Sequence, residues 1–116
     1  MRYRALYEAS LRTFPAAVAD ATIPIEDVRG NVLLVAGGDD AVWPSLDFAE
    51  TLAGRRREAR RQVALMAHRD AGHRPVFPGE ALPAPSTHTA YGGSLEADAE
   101  LGRAAWPRVL ACLGLE

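Results

Sequence analysis

Two carboxylates and one imidazole carry the chemistry this sequence could do. Asp39 and Asp40 follow directly on Val32-Leu33-Leu34-Val35-Ala36-Gly37-Gly38, and His73 follows Ala71-Gly72, 33 positions beyond Asp40. An unbroken apolar run stopped by glycines reads as a strand buried on both faces. Gln62 to Ala67 reads as a second such strand, after which Gly72 allows a sharp turn. In open parallel sheets, ligands and reactive groups collect in the crevice past the carboxyl ends of the strands. An Asp beyond one strand and a His beyond its neighbour can meet there. The acid then fixes the ring tautomer and stabilises the imidazolium when it forms. The competing reading is that Asp39 and Asp40 only cap a turn and the helix after it.

Other elements must position these groups. Tyr3, Leu6, Tyr7, Leu11 and Phe14 share one face of an amphipathic helix over about 3–14, expected to pack in the core. Pro15 ends or kinks it, and helical structure continues over 16–21. Pro24 makes Ile23–Val28 a connector rather than a central strand. After Asp40, Ser45 reads as the N-cap of a helix with Leu46, Phe48, Ala49 and Leu52 on its apolar side. Trp43 is expected to pack against the start of that helix, with a place in the crevice wall as the alternative. Arg55-Arg56-Arg57 and Arg60-Arg61 read as a solvated helix end, with a phosphate patch as the alternative.

The prolines at 75, 78, 83 and 85 make the segment after His73 an irregular surface loop. His88 lies in that loop, and a general-base role suits it less than His73. His68 reads as structural or exposed. Gly92-Gly93-Ser94 is a turn, and Ser94 caps a helix over about 95–113 with Leu101, Ala105, Val109, Leu110 and Leu113 toward the core. Pro107 predicts a kink there, or two successive helices. Cys112 shows no sign of activation.

The 116 residues suit one domain, and the net charge of −2 gives no bulk attraction to nucleic acid or to an anionic membrane. The single cysteine excludes an internal disulfide framework. No apolar run reaches the roughly 20 residues of a membrane span, and the start of the chain lacks a signal-peptide core. The expectation is a cytoplasmic protein with no metal or cofactor.

The order Asp…His matches the second half of the Ser…Asp…His order of α/β-hydrolases. No Gly-x-Ser-x-Gly nucleophile turn occurs in the sequence, and no oxyanion-hole segment is recognisable. Two parallel strands with flanking helices also leave an incomplete sheet with an open, apolar edge. The expected fold is therefore α/β, the C-terminal part of an α/β-hydrolase, with residues 1–116 as a single partial domain.

The motifs Ile23-Pro24-Ile25-Glu26, Gly37-Gly38-Asp39-Asp40-Ala41-Val42-Trp43-Pro44-Ser45, Ala71-Gly72-His73, Gly92-Gly93-Ser94 and Ala105-Trp106-Pro107 occur in this order. On them the chain resembles the C-terminal portion of the acyl-CoA thioesterase and bile acid-CoA:amino acid N-acyltransferase family, within the dienelactone-hydrolase-like α/β-hydrolases. The resemblance runs from about Tyr3 to Leu113. It implies a Ser/Cys–His–Asp triad acting on acyl-CoA thioesters, with Asp40 as the acid, Asp39 a turn residue beside it, and His73 the general base. It departs from the family at His68-Arg69-Asp70, where a tyrosine-proline is usual. A chain without the nucleophile half is expected to be inactive alone, taking an acyl-CoA or other acyl ester only once completed. A dienelactone-hydrolase-like esterase fragment is one alternative. A non-catalytic domain that self-associates through the open edge, or complements another chain, is the other.

Overall fold

A computed structural model describes residues 1–115. Its centre is a crossover unit: strand β1 (Leu33–Gly37), helix α3 (Ser45–Glu58) and strand β2 (Ala64–His68). The strands pair in parallel, from Leu33 opposite Ala64 to Gly37 opposite His68. They form a two-stranded sheet. Each begins and ends about one or two residues later than the apolar runs suggest. Helix α4 (Leu95–Leu113) also packs on the sheet and makes no contact with α3, so the sheet lies between them.

The core is small and rich in alanine. Ala71, Ala97 and Leu101 are buried together, with Val35 and Met66 packed against them. Ala36, Ala49 and Ala53 are also buried. Two-sided burial of the strands is incomplete: Leu33, Leu34, Val35, Leu65 and Met66 are half-buried. With only two strands, each has an unpaired edge, and the side chains beside that edge stay partly in contact with solvent.

Helices α1 (Arg4–Thr13) and α2 (Pro15–Ala21) precede the sheet and pack on each other. The expected core face of α1 does not enter the core. Leu6 and Phe14 are 66% and 62% exposed, and Tyr7 and Leu11 are exposed too. The spacing identifies the apolar side of the helix but not what covers it. With Val18, Phe48 and Leu52, Leu11 and Phe14 line a groove of about 660 Å³ that does not reach His73. The arm is anchored at its start, where the Tyr3 and Arg4 N–H groups donate to Ala41 O at 3.0 and 3.1 Å.

Ser94 caps α4 as read, its Oγ accepting from Ala97 N–H at 3.1 Å. The division into two helices, one of the two outcomes expected at Pro107, does not occur, and Leu95–Leu113 is one helix. Pro107 lacks the N–H that would donate to the Arg103 carbonyl, and Arg103 is exposed. Of the expected core positions, Leu101 and Ala105 are buried, Val109 and Leu110 are half-buried, and Leu113 is exposed. Cys112 is half-buried beside Asn31 O.

Gly102 lets α4 lie directly on the chain after His73: a Cβ there would stand 1.8 Å from Val76 O. Gly102→Ala is therefore expected to lower the unfolding free energy by about 1–3 kcal/mol in a urea titration.

The arginine cluster divides. Arg55 forms a two-pronged pair with Glu26, which holds the Glu26 carboxyl below its usual range. Arg57, Arg60 and Arg61 stay exposed, as a solvated helix end would. Arg56 does not: it is 2% exposed. Its guanidinium donates to Gln62 O at 2.9 Å, Ile25 O at 3.0 Å, Val28 O at 2.7 Å and Gly30 O at 3.1 Å. It lies in line with Ala49 and Ala53 on the buried stripe of α3, which carries it inward rather than into water.

Candidate active site

The loop leaving β1 and the turn leaving β2 meet beyond the carboxyl ends of the strands. His73 Nδ1 and Asp40 Oδ2 are 3.0 Å apart. An ionised carboxylate only accepts, so Nδ1 carries the proton and donates it. Asp40 is 1% exposed. Its Oδ1 accepts from Val42 N–H at 2.7 Å and Trp43 N–H at 3.2 Å. The Ser45 hydroxyl donates to Oδ2. With His73, four donors use the four lone-pair positions of the carboxylate, leaving it no other orientation with equal bonding.

Ser45 thus differs from its expected role. It is the first residue of α3 rather than its cap, a place taken by Pro44, and its hydroxyl serves Asp40. Asp40 is likewise more than a turn cap, since it reaches His73 as well as the two N–H groups after it. Asp39 is the turn residue. Its N–H donates to Ala71 O at 2.9 Å, and its carboxylate accepts from Gly93 N–H at 2.9 Å. Arg4 closes the loop from the α1 side, donating to Gly38 O at 3.3 Å and Asp40 O at 3.4 Å.

The imidazole sits between two aromatic rings. Trp43 meets it edge-on with centroids 4.9 Å apart, and Tyr91 lies nearly parallel at 6.0 Å. Tyr7 in turn meets Trp43 at 5.9 Å. Trp43 is therefore part of the wall around His73, the alternative in the sequence reading. Among the described residues nothing hydrogen-bonds His73 Nε2, and the side chain keeps 24% of its exposure. The nitrogen that would face a reacting group is thus unengaged.

His88 is exposed on the proline-rich loop, and its backbone carbonyl binds the chain's amino terminus. His68 pairs with Glu100 at 3.0 Å. Neither joins the Asp40–His73 pair. Among the described residues no group of three or more His, Cys, Asp or Glu side chains is placed to hold a metal ion.

Two further residues shape the site, and the sequence assigns neither a role there, Tyr91 being read only as the start of the turn Tyr91-Gly92-Gly93-Ser94. Tyr91 O accepts from His73 N–H at 2.9 Å and from Ala41 N–H at 3.2 Å. The approach depends on Gly92, which has φ +72° and where a Cβ would stand 1.9 Å from Asp39 O. The second is Asp98, on the buried face of α4, whose Oδ1 accepts Gly72 N–H at 2.6 Å. The signal for Asp98 was present: it falls on the helical stripe of Leu101 and Ala105, and a charged residue on an apolar stripe is costly unless bonded.

Burial raises the Asp98 carboxyl above its usual range, against the Gly72 N–H and the charge of His68, which both lower it. The folded state then holds its proton at pH values where the unfolded chain has released it. The contribution of Asp98 to stability is full below the ordinary carboxyl range and is lost as pH rises through the raised value. Urea unfolding across that range is expected to show this loss as the difference between the wild type and Asp98→Asn, since the lowered Glu26 carboxyl acts in the opposite direction in both.

A two-stranded parallel open sheet with flanking helices, and an acid and a histidine meeting beyond its strand ends, defines a partial α/β-hydrolase-like fold. Residues 6–114 match the family model described as BAAT / acyl-CoA thioester hydrolase C terminal, and the chain belongs to that family. No curated protein matches it.

Proposed function

We propose that this chain is a partial α/β-hydrolase domain supplying the acid and general base of a Ser/Cys–His–Asp triad that acts on acyl-CoA thioesters. The observation that carries the reading is the 3.0 Å bond from His73 Nδ1 to the buried Asp40 carboxylate, in a chain of this family. With Nδ1–H held by Asp40, the Nε2 lone pair is free to take a proton. In the proposed cycle, His73 deprotonates a Ser or Cys from outside these residues, and that nucleophile attacks the thioester carbonyl. The imidazolium returns the proton to the departing CoA sulfur. His73 then activates water, or an amine acceptor, to release the acyl group.

The oxyanion donors come with the nucleophile in this reading, and the completing strands join at the open sheet edge. That edge also supports a second reading, in which two copies pair through it without catalysis. Purified chain is expected to release no free CoA thiol from acyl-CoA. When it is joined to a nucleophile-bearing half, turnover is expected to appear and to disappear again with His73→Ala. Turnover by the chain alone that His73→Ala abolishes would overturn the need for a second half. Turnover that survives His73→Ala in the joined protein would overturn the role of His73. A concentration-dependent dimer in light scattering, with no activity on joining, would favour the second reading.

A further inference from the structure

We propose that Asp98 is a positioning residue that fixes the His73 turn, and through it the imidazole, over Asp40. The inference deepens the assignment of His73 as general base and rests on it. Asp98 reaches the turn from both sides of His73: its carboxylate Oδ1 accepts from Gly72 N–H at 2.6 Å, and its own carbonyl accepts from Val76 N–H at 3.0 Å. With His73 N–H held by Tyr91 O at 2.9 Å, the backbone is tied at residues 72, 73 and 76. The turn has no room to lean the other way, because a Cβ on Gly72 would stand 2.3 Å from Gly92 O.

Packing alone does not account for an acid here. Asp98 is 6% exposed beside Leu101 and Ala97, where an aliphatic side chain would avoid the cost of desolvating a carboxylate. An aliphatic side chain would leave the Gly72 N–H without its acceptor. That N–H adjoins His73, and a short bond from a backbone amide to a carboxylate is among the stronger ones available to it. α4, built on the core, thereby becomes the reference that sets the height of His73 above the sheet.

The test uses the 116-residue chain, isotope-labelled, and reads two signals by NMR: the His73 Nδ1-bound proton and the exchange rate of the Gly72 amide. Asp98→Ala is expected to speed Gly72 exchange about tenfold or more and to remove or shift the Nδ1 proton signal. Asp98→Asn, whose side-chain oxygen accepts the same bond, is expected to keep both signals as in the wild type. A folded Asp98→Ala protein with both signals unchanged would overturn the proposal, as would a folded Asp98→Asn protein that loses them. If Asp98→Ala does not fold, the wild type still decides through the coupling across the hydrogen bond between Gly72 nitrogen and the Asp98 carboxyl carbon. Its presence supports the proposal and its absence overturns it. Failure of the base assignment looks different: turnover in the joined hydrolase survives His73→Ala while the NMR signals still report on Asp98.

Discussion

Asp40→Asn is expected to lower kcat of the completed hydrolase about 10⁴-fold, the size of effect a lost triad carboxylate produces. The cause is the direction of one proton. Asp40 Oδ2 now receives the His73 Nδ1 proton, which leaves Nε2 as the basic nitrogen. A side-chain amide at position 40 offers the imidazole an N–H donor, and the ring answers by presenting an unprotonated Nδ1 and moving its proton to Nε2. The nucleophile then faces a nitrogen that cannot accept. The Val42 and Trp43 amides and the Ser45 hydroxyl all donate toward this carboxylate. The Val42 and Trp43 amides, both on Oδ1, favour the amide oxygen on their side and so help turn the NH₂ toward His73, while the Ser45 hydroxyl on Oδ2 can rotate to accept from that NH₂. Steady-state turnover of acyl-CoA with the joined protein, together with the nitrogen shifts of His73, checks both halves of the expectation. An Asp40→Asn enzyme within tenfold of the parent would count against the triad assignment.

The second large effect concerns stability. Arg56→Met is expected to lower the unfolding free energy by about 2–4 kcal/mol in urea, with the slope of the transition unchanged. One guanidinium joins four carbonyls from three stretches of chain: the 25–28 connector, Gly30 before β1, and Gln62 before β2. Methionine fills the space and supplies no donor. Arg56→Lys is expected to recover little of the loss, because an ammonium has three donors around one point and cannot span that set. A variant as stable as the parent would mean that water takes over all four carbonyls at no cost.

That Asp40 and His73 meet was legible because each stands just past an apolar run and a glycine, a local pattern that places both beyond the strand ends. The sequence reading also reached Ser94, whose capping role is local. It did not foresee the exposure of Leu6 and Phe14, because helical spacing records a face and not its neighbour. Ser45, Arg56 and Asp98 were missed for a shared reason. Each bonds a group at least five residues away in sequence (Asp40, four carbonyls, Gly72), and propensity rules weigh only the near neighbours. For Arg56 and Asp98 a trace existed, a charge on an otherwise apolar helical stripe. For Ser45 there was none, since a serine at the start of a helix is sufficiently explained as a cap. Of the two outcomes read from Pro107, the division into two helices does not occur, and Leu95–Leu113 is one helix.

The carbonyl of Tyr91 has a consequence for motion. It accepts the N–H of Ala41, which adjoins the acid, and the N–H of His73 itself. One carbonyl therefore ties together the backbones that carry Asp40 and His73. Motion in the proline-rich stretch before Tyr91 is thus expected to reach both backbones through one atom.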